Sequence, residues 1–148
     1  MIIESRVLKH PQIIITILKN FPTLDPLVIL LNSRVYYIEN YKEIIAFLTV
    51  KKWKNITELG TVYTAPTFRK KGFAKKLIRY VSKKYSSMYL LCKKEIVPFY
   101  KKCGFSVTRS NKNTIEKRRE LFNKCLSPIF RYPLVSMAKK KNFVTSIK

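Results

Sequence analysis

Between residues 56 and 85 the hydrophobic period changes across a single glycine, and this constrains the fold more than any other feature. "ITELGTVYT" (56–64) alternates as a strand does, and Ala65-Pro66 stops it. From Gly72 to Tyr85 the period is helical: Phe73, Leu77, Ile78 and Val81 share one face, while lysines and Arg79 cover the other. The junction, "FRKKGFAKKL" (68–77), carries five positive charges around Gly72. The chain has only three glycines, Gly60, Gly72 and Gly104. Glycine costs backbone entropy, so a chain this sparing with it places one here for geometry.

A helix N-terminus presents unpaired N–H groups and the positive end of its dipole, which together attract an anion. Gly72 leaves room for the anion to approach the backbone, Ala74 is small, and Lys75 adds charge from the first turn. The physical reading is a pyrophosphate cradle. A loop glycine before a solvated basic helix face is the plainer alternative.

Other elements surround this junction. "RVYYIEN" (34–40) and "EIIAFLTVKKW" (43–53) are β-rich runs around a short polar turn, which predicts a hairpin. "PQIIITILKNF" (11–21) is apolar on too many sides for an exposed helix and predicts a buried one beginning at proline. "LDPLVILLNS" (24–33) reads as a short helix capped by Asp25, or equally as a strand. "MYLLCK" (88–93) predicts a strand buried on both faces, "VPFYKKC" (97–103) a helix ended by Gly104, and "FSVT" (105–108) a strand. A polar helix (114–125) and a strand "YPLVSMA" (132–138) complete the series. Hairpin, then strand–helix–strand–helix–strand, gives an α/β fold with a mixed sheet and at least one crossover.

The 148 residues suit one domain, and 47% hydrophobic residues suit a packed core. Net charge is +23, which favours polyanionic partners such as nucleic acid or the ribosome. Lysines spread evenly beside isoleucine, asparagine and tyrosine equally reflect a compositional bias. Tyr36, Tyr37 and Trp53 could stack on bases, or pack a sheet face. Cys92, Cys103 and Cys125 are odd in number and form no CxxC pair, so they read as reduced thiols without a disulfide framework. One histidine, His10, makes a metal site or a histidine triad an unpromising reading. "MIIESR" lacks the basic start of a signal peptide, and no apolar run has membrane-spanning length. The expectation is a cytoplasmic protein with no membrane association.

Arg69-Lys70-Lys71-Gly72-Phe73-Ala74 resembles the Arg/Gln-x-x-Gly-x-Gly/Ala signature of the GNAT N-acetyltransferase superfamily, with Pro66 at the expected spacing before it. A second stretch about thirty residues on, "FYKKCGF" (99–105), resembles the family's Tyr-x-x-x-Gly-Phe. The resemblance covers roughly residues 34–138. It implies a central, mostly antiparallel sheet with a V-shaped splay and flanking helices. From the length and the lack of a Gly/Ser-rich linker, the expectation is one domain over 1–148, with the basic stretch 139–148 as a loose tail. The resemblance also implies acetyl-CoA as cosubstrate, no metal, and direct acetyl transfer to a primary amine in a ternary complex.

By that resemblance, backbone N–H groups of Arg69, Lys70, Lys71, Gly72, Phe73 and Ala74, with Lys75, would hold the CoA pyrophosphate. Val62, Tyr63 and Thr64 would hydrogen-bond the pantetheine arm; the family usually has valine where Thr64 stands, a small departure because backbone atoms do the binding. Tyr100 matches the tyrosine near the CoA sulfur, where a hydroxyl stabilises or protonates the leaving thiolate. Glu58 lies eleven residues before Arg69, the spacing of a catalytic glutamate in one branch of the family. Strict alternation would put it on one face with Gly60, Val62 and Thr64. A salt-bridged structural glutamate is the alternative. The tail from Thr114 is similar to that of short amino-acid (glutamate) N-acetyltransferases, for which Arg34 or Arg131 could bind a carboxylate. The acceptor is otherwise unassigned, and a dimer is open.

Overall fold

The computed structural model describes residues 1–20, 24–53, 56–108, 114–125 and 133–140. The predicted hairpin is formed by β2 (Arg34–Asn40) and β3 (Glu43–Trp53), with Asn40 opposite Glu43. The two turn residues, Tyr41 and Lys42, have φ of 47° and 66°, the left-handed pair of a type I′ turn made here without glycine. β1 (Ile3–Arg6), absent from the sequence reading, adds an edge to β2, and β4 (Ile56–Thr64) pairs with β3 on the other side. β5 (Ser87–Lys93), β6 (Ser106–Val107) and β7 (Leu134–Lys140) complete a sheet of order β1-β2-β3-β4-β5-β7-β6. All its pairings are antiparallel except β4–β5, which the helix α3 (Phe73–Lys84) connects as a crossover.

Helices cover both faces. α1 (Pro11–Lys19) and α2 (Leu27–Leu30) bury Ile13, Ile17 and Val28 against Val35, Tyr37 and Phe47. On the opposite face, α3 and α4 (Val97–Lys102) press Leu77, Ile78, Val81 and Tyr100 onto Leu48, Val50, Leu59, Leu90 and Met137. Burying the three aliphatic residues of α3 contributes about 6 kcal/mol at ~2 kcal/mol each. α5 (Thr114–Cys125) packs on β5 and β7, where Asn123 grips both backbone groups of Leu134: its Oδ1 accepts from the N–H at 2.7 Å, and its Nδ2 donates to the carbonyl at 3.0 Å.

Several expectations change. α1 is amphipathic and not buried all round, since Ile15 and Leu18 are about half exposed, at 50% and 56%. "LVILL" is helical because the Asp25 carboxylate accepts the Leu27 amide at 2.9 Å and starts a turn. β5 alternates between buried Met88, Leu90, Cys92 and half-buried Tyr89, Leu91, so it is covered fully on one face only. Two residues of the expected loose tail are ordered in the sheet, because Lys139 and Lys140 belong to β7 and Lys139 Nζ donates to the Cys103 carbonyl at 2.7 Å. Arg131 and residues 141–148 lie outside the described residues.

Candidate active site

The parallel pairing of β4 with β5 is very short. Glu58 faces Tyr89 and Leu59 faces Leu90; beyond them, among the described residues, Val62–Thr64 pair only with β3, and Leu91–Lys93 only with β7. The two strands therefore splay into a wedge, and the edge of β4 facing it has backbone polar groups without a strand partner.

A bulge opens β4 at the same place. The register steps from Leu48 opposite Val62 to Val50 opposite Leu59, so Gly60 and Thr61 together face Thr49. The Thr49 hydroxyl accepts the Thr61 amide at 2.7 Å and fixes the extra residue. Gly60 is required there: a Cβ would lie 2.8 Å from both Thr49 Oγ1 and a methyl of Val28. The bulge also corrects the expected alternation. Leu59 and Val62 both pack toward α3, whereas Tyr63 joins the α1 side with Phe47. Glu58 therefore shares a face with Gly60 and Tyr63, and Val62 and Thr64 point to the other.

At the mouth of the wedge the loop before α3 makes two left-handed steps, Lys70 at φ 61° and Gly72 at φ 83°. A Cβ on Gly72 would meet nothing within 4 Å, so glycine serves the backbone angle and leaves open space in front of it. Gly72 takes the cap position with no side-chain cap, and its carbonyl accepts from Lys76 at 2.9 Å. The N–H groups of Phe73, Ala74 and Lys75 thus have no intrahelical acceptor. Lys70, Lys71 and Lys75 are exposed around them. Arg69 acts differently, its Nε donating to the Thr64 carbonyl at 3.2 Å and tying loop to strand end. Phe68 packs edge-on against Phe73, with Lys71 Nζ 5.2 Å over its ring, which anchors the loop.

Tyr100 stands on α4 beside the wedge, and the glycine motif explains its position. Phe105 N–H donates to the Tyr100 carbonyl at 3.1 Å and Gly104 N–H to that of Lys101 at 2.9 Å, with Gly104 at φ 85°. This is the Schellman arrangement, and the Phe105 ring completes it by packing on Tyr100, centroids 5.9 Å apart. Burial raises the Tyr100 phenol well above its ordinary pKa, with the nearby thiols of Cys92 and Cys103 adding to the effect. Burial pushes Cys92 itself up to about 11, with Glu95 assisting. All three groups are held protonated at neutral pH, so the phenol is present as a donor.

Glu58 is only 2% exposed and is surrounded by donors. Lys51 Nζ lies 2.9 Å from Oε1, while Trp53 Nε1 and Arg118 Nη1 donate to Oε2 at 2.7 and 2.6 Å. Lys51, with no exposed side-chain surface, also bridges to Asp25, which Arg118 Nη2 approaches at 3.3 Å. Burial raises the Asp25 pKa, but the Lys51 charge and hydrogen bond outweigh it, with help from the Leu27 amide and Arg118, and the net shift is downward. Lys51, Asp25 and Arg118 were not marked as site residues in the sequence. Only the "KKW" end of β3 opposite "TEL" of β4 hinted at Lys51, and nothing local pointed to Arg118, sixty residues from Glu58.

A split sheet, a basic left-handed loop at the N-terminus of the crossover helix and a tyrosine beside the wedge define an acyltransferase type of α/β protein. Residues 32–107 match the family profile described as Acetyltransferase (GNAT) domain, and the chain belongs to that family. No curated protein sequence matches it. Among solved structures, the IAA acetyltransferase of Bacillus cereus is similar at TM-score 0.65 and 15% identity, over 95% of this chain and 99% of its own. A GNAT family acetyltransferase from Elizabethkingia anophelis, solved with acetyl-CoA bound, is similar at 0.66 and 17%, over 94% and 97%. The N-acetylglutamate synthase of Neisseria gonorrhoeae, solved with coenzyme A and N-acetyl-glutamate, gives 0.67 at 13%, over 95% of this chain but 35% of its own. This chain spans about a third of that synthase.

Proposed function

We propose that this protein transfers the acetyl group of acetyl-CoA to an α-amine. The observation that carries the reading is the conjunction of the cradle with the wedge: free N–H groups at the start of α3 lie at the mouth of a split between β4 and β5. Acetyl-CoA supplies the activated acetyl thioester. The amides of Lys70 to Lys75 and the lysine ammoniums would hold its pyrophosphate, and the free edge of Val62, Tyr63 and Thr64 would receive the pantetheine amides. The neutral amine attacks the acetyl carbon, a C–N bond forms, the C–S bond breaks and a thiolate leaves; the surplus proton on nitrogen passes to solvent water, from which the thiolate is in turn protonated on release. Tyr100, kept protonated by burial, would donate a hydrogen bond to that thiolate. Its raised pKa makes complete proton transfer uphill, so stabilisation of the negative charge is the larger part of its role.

The acceptor class follows from Glu58. A carboxylate has about four acceptor positions, and three donors already occupy this one. A site with so little free base suits an amine that needs little help. Freeing a lysine ε-amine of pKa about 10.4 at pH 7 costs about 4.6 kcal/mol, whereas an α-amine near 7.8 costs about 1.1. We therefore assign Glu58 to ordering the wedge side of β4 through Lys51 and Arg118. Amino acids, glutamate among them, and peptide N-termini are the candidate acceptors. The test is a thiol-release assay with acetyl-CoA against free amino acids, peptides with free N-termini, and N-blocked lysine peptides. Turnover with α-amines and little with blocked lysine peptides is expected. Preference for the lysine peptides would overturn the acceptor class, and no turnover with any amine would overturn the activity.

A further inference from the structure

A second cationic site lies at the far end of α3. A cavity of about 250 Å³ is lined by Arg6, Leu31, Ser33, Arg34, Val50 and Lys52. It opens where β1 ends and β2 begins, alongside Val50 and Lys52 of β3, since Arg6 pairs with Arg34 and Arg34 with Val50. Lys52 Nζ sits 5.5 Å over the ring of Tyr85, the residue that follows α3. Twelve residues of helix separate this end from the cradle, about 18 Å at 1.5 Å per residue.

The groups around this cavity are short of negative charge. Arg34 shares Glu4 with Lys84, which neutralises part of that trio. Among the described residues Arg6 is held only by the Asn32 carbonyl, at 3.1 Å. Among the described residues no carboxylate pairs with Arg6 or Lys52, so the cavity keeps about two uncompensated charges. Ser33 is 3% exposed, and its buried hydroxyl has no hydrogen-bond partner. Such an orphan is costly unless something completes it. The turn bearing it is fixed: Asn32, at φ 41°, ends α2 while Asn32 and Ser33 amides donate back to Ile29 and Val28. Arg6 is tied to this fixed turn through the Asn32 carbonyl.

We propose that this cavity binds a phosphate group, either free phosphate or the terminal group of a small molecule. A phosphate carries −1.5 to −2 charge near neutrality with three strong acceptor oxygens. That matches the two unpaired cations and the outer edge of the Arg34 guanidinium. The site is independent of the cradle and of the acetyl-transfer reading.

The experiment is calorimetric titration with inorganic phosphate, glycerol phosphate and succinate at constant ionic strength. Proteins compared are the wild type, Gly72→Asp, Arg6→Met, Lys52→Met and, as a control for diffuse charge, Lys19→Met. In the Gly72→Asp background, where an aspartate repels anions from the cradle, phosphate binding is expected to persist. Arg6→Met and Lys52→Met should each weaken it about tenfold or more, and Lys19→Met should leave it unchanged. Both cationic positions are solvent-exposed, so at least one variant is expected to fold normally. Tighter binding of glycerol phosphate than of inorganic phosphate assigns the group to a small molecule; equal or weaker binding assigns free phosphate. Absence of binding in Gly72→Asp, equal losses in all lysine and arginine variants, or succinate binding as tightly as phosphate would each overturn the proposal.

Discussion

Replacing Lys51 by methionine tests the ion network behind β4. Methionine nearly matches the lysine stem in length, so the change removes an ammonium and leaves little cavity. Lys51 has no exposed side-chain surface, and it lies between the side chains of Glu58, 3% exposed, and Asp25, 27% exposed. Its loss leaves two carboxylates to share Arg118. Removing one partner of a buried ion pair costs about 3–5 kcal/mol, because the remaining charge is desolvated without compensation. Asp25 can still turn to water and Arg118 stays, which places the expected cost near the lower end, about 3 kcal/mol. With an m-value of about 2 kcal/mol/M, the urea midpoint should fall by about 1.5 M. The assay is equilibrium urea unfolding followed by far-ultraviolet dichroism and Trp53 fluorescence. Lys51→Met combined with Glu58→Gln should recover a substantial part of the loss, since it removes a charge the single variant strands. A loss below about 1 kcal/mol for Lys51→Met, or no recovery in the double variant, would refute the reasoning.

Three further outcomes follow from the same structure. Tyr100→Phe should lower kcat about 100-fold while acetyl-CoA affinity stays within about twofold, measured by thiol release and calorimetry; an unchanged kcat removes Tyr100 from the chemistry. Asp25 has a lowered folded pKa, so its contribution is present above the unfolded carboxylate value of about 4 and is lost as pH falls through the folded value. Asp25→Asn should therefore be less stable at pH 7 and show a shallower loss of stability below pH ~4 in thermal melts across pH. Gly104→Ala should cost about 1–2 kcal/mol in urea unfolding, because φ is 85° and the new Cβ would sit 3.2 Å from Lys139 Nζ.

What the sequence revealed was mostly local. Each edge of the β2–β3 hairpin was legible because alternation ran up to a polar turn, and α3 because its apolar stripe had helical spacing. "YKKCGF" was legible as a motif, and its physics is a helix end in which Gly104 turns the chain and Phe105 locks Tyr100. The misses come from interactions between distant segments. The β4 bulge depends on the Thr49 hydroxyl across the strand pair, and without it the period-2 rule assigns Val62 and Thr64 to the wrong face. β1 is four residues at an edge, with Glu4 turned to the charged groups of Arg34 and Lys84, and has too little pattern to detect. α1 reads as wholly buried because isoleucine is plentiful here, yet it packs through Ile13, Ile14 and Ile17 while Ile15 and Leu18 stay about half exposed. Arg118 reaches Glu58 and Asp25 from α5, a contact that no spacing in the chain announces.

The central claim is that the loop ending at Gly72 holds an acyl-CoA. The most direct measurement is calorimetric titration of acetyl-CoA into wild type and Gly72→Asp at two salt concentrations. Aspartate tolerates left-handed backbone angles better than most residues and has open space at this position, so the variant should fold and unfold as the wild type does. The account predicts one binding event in the wild type that weakens with salt, and its loss in the folded variant. Equal binding by the two proteins, or none by a folded wild type, would contradict it.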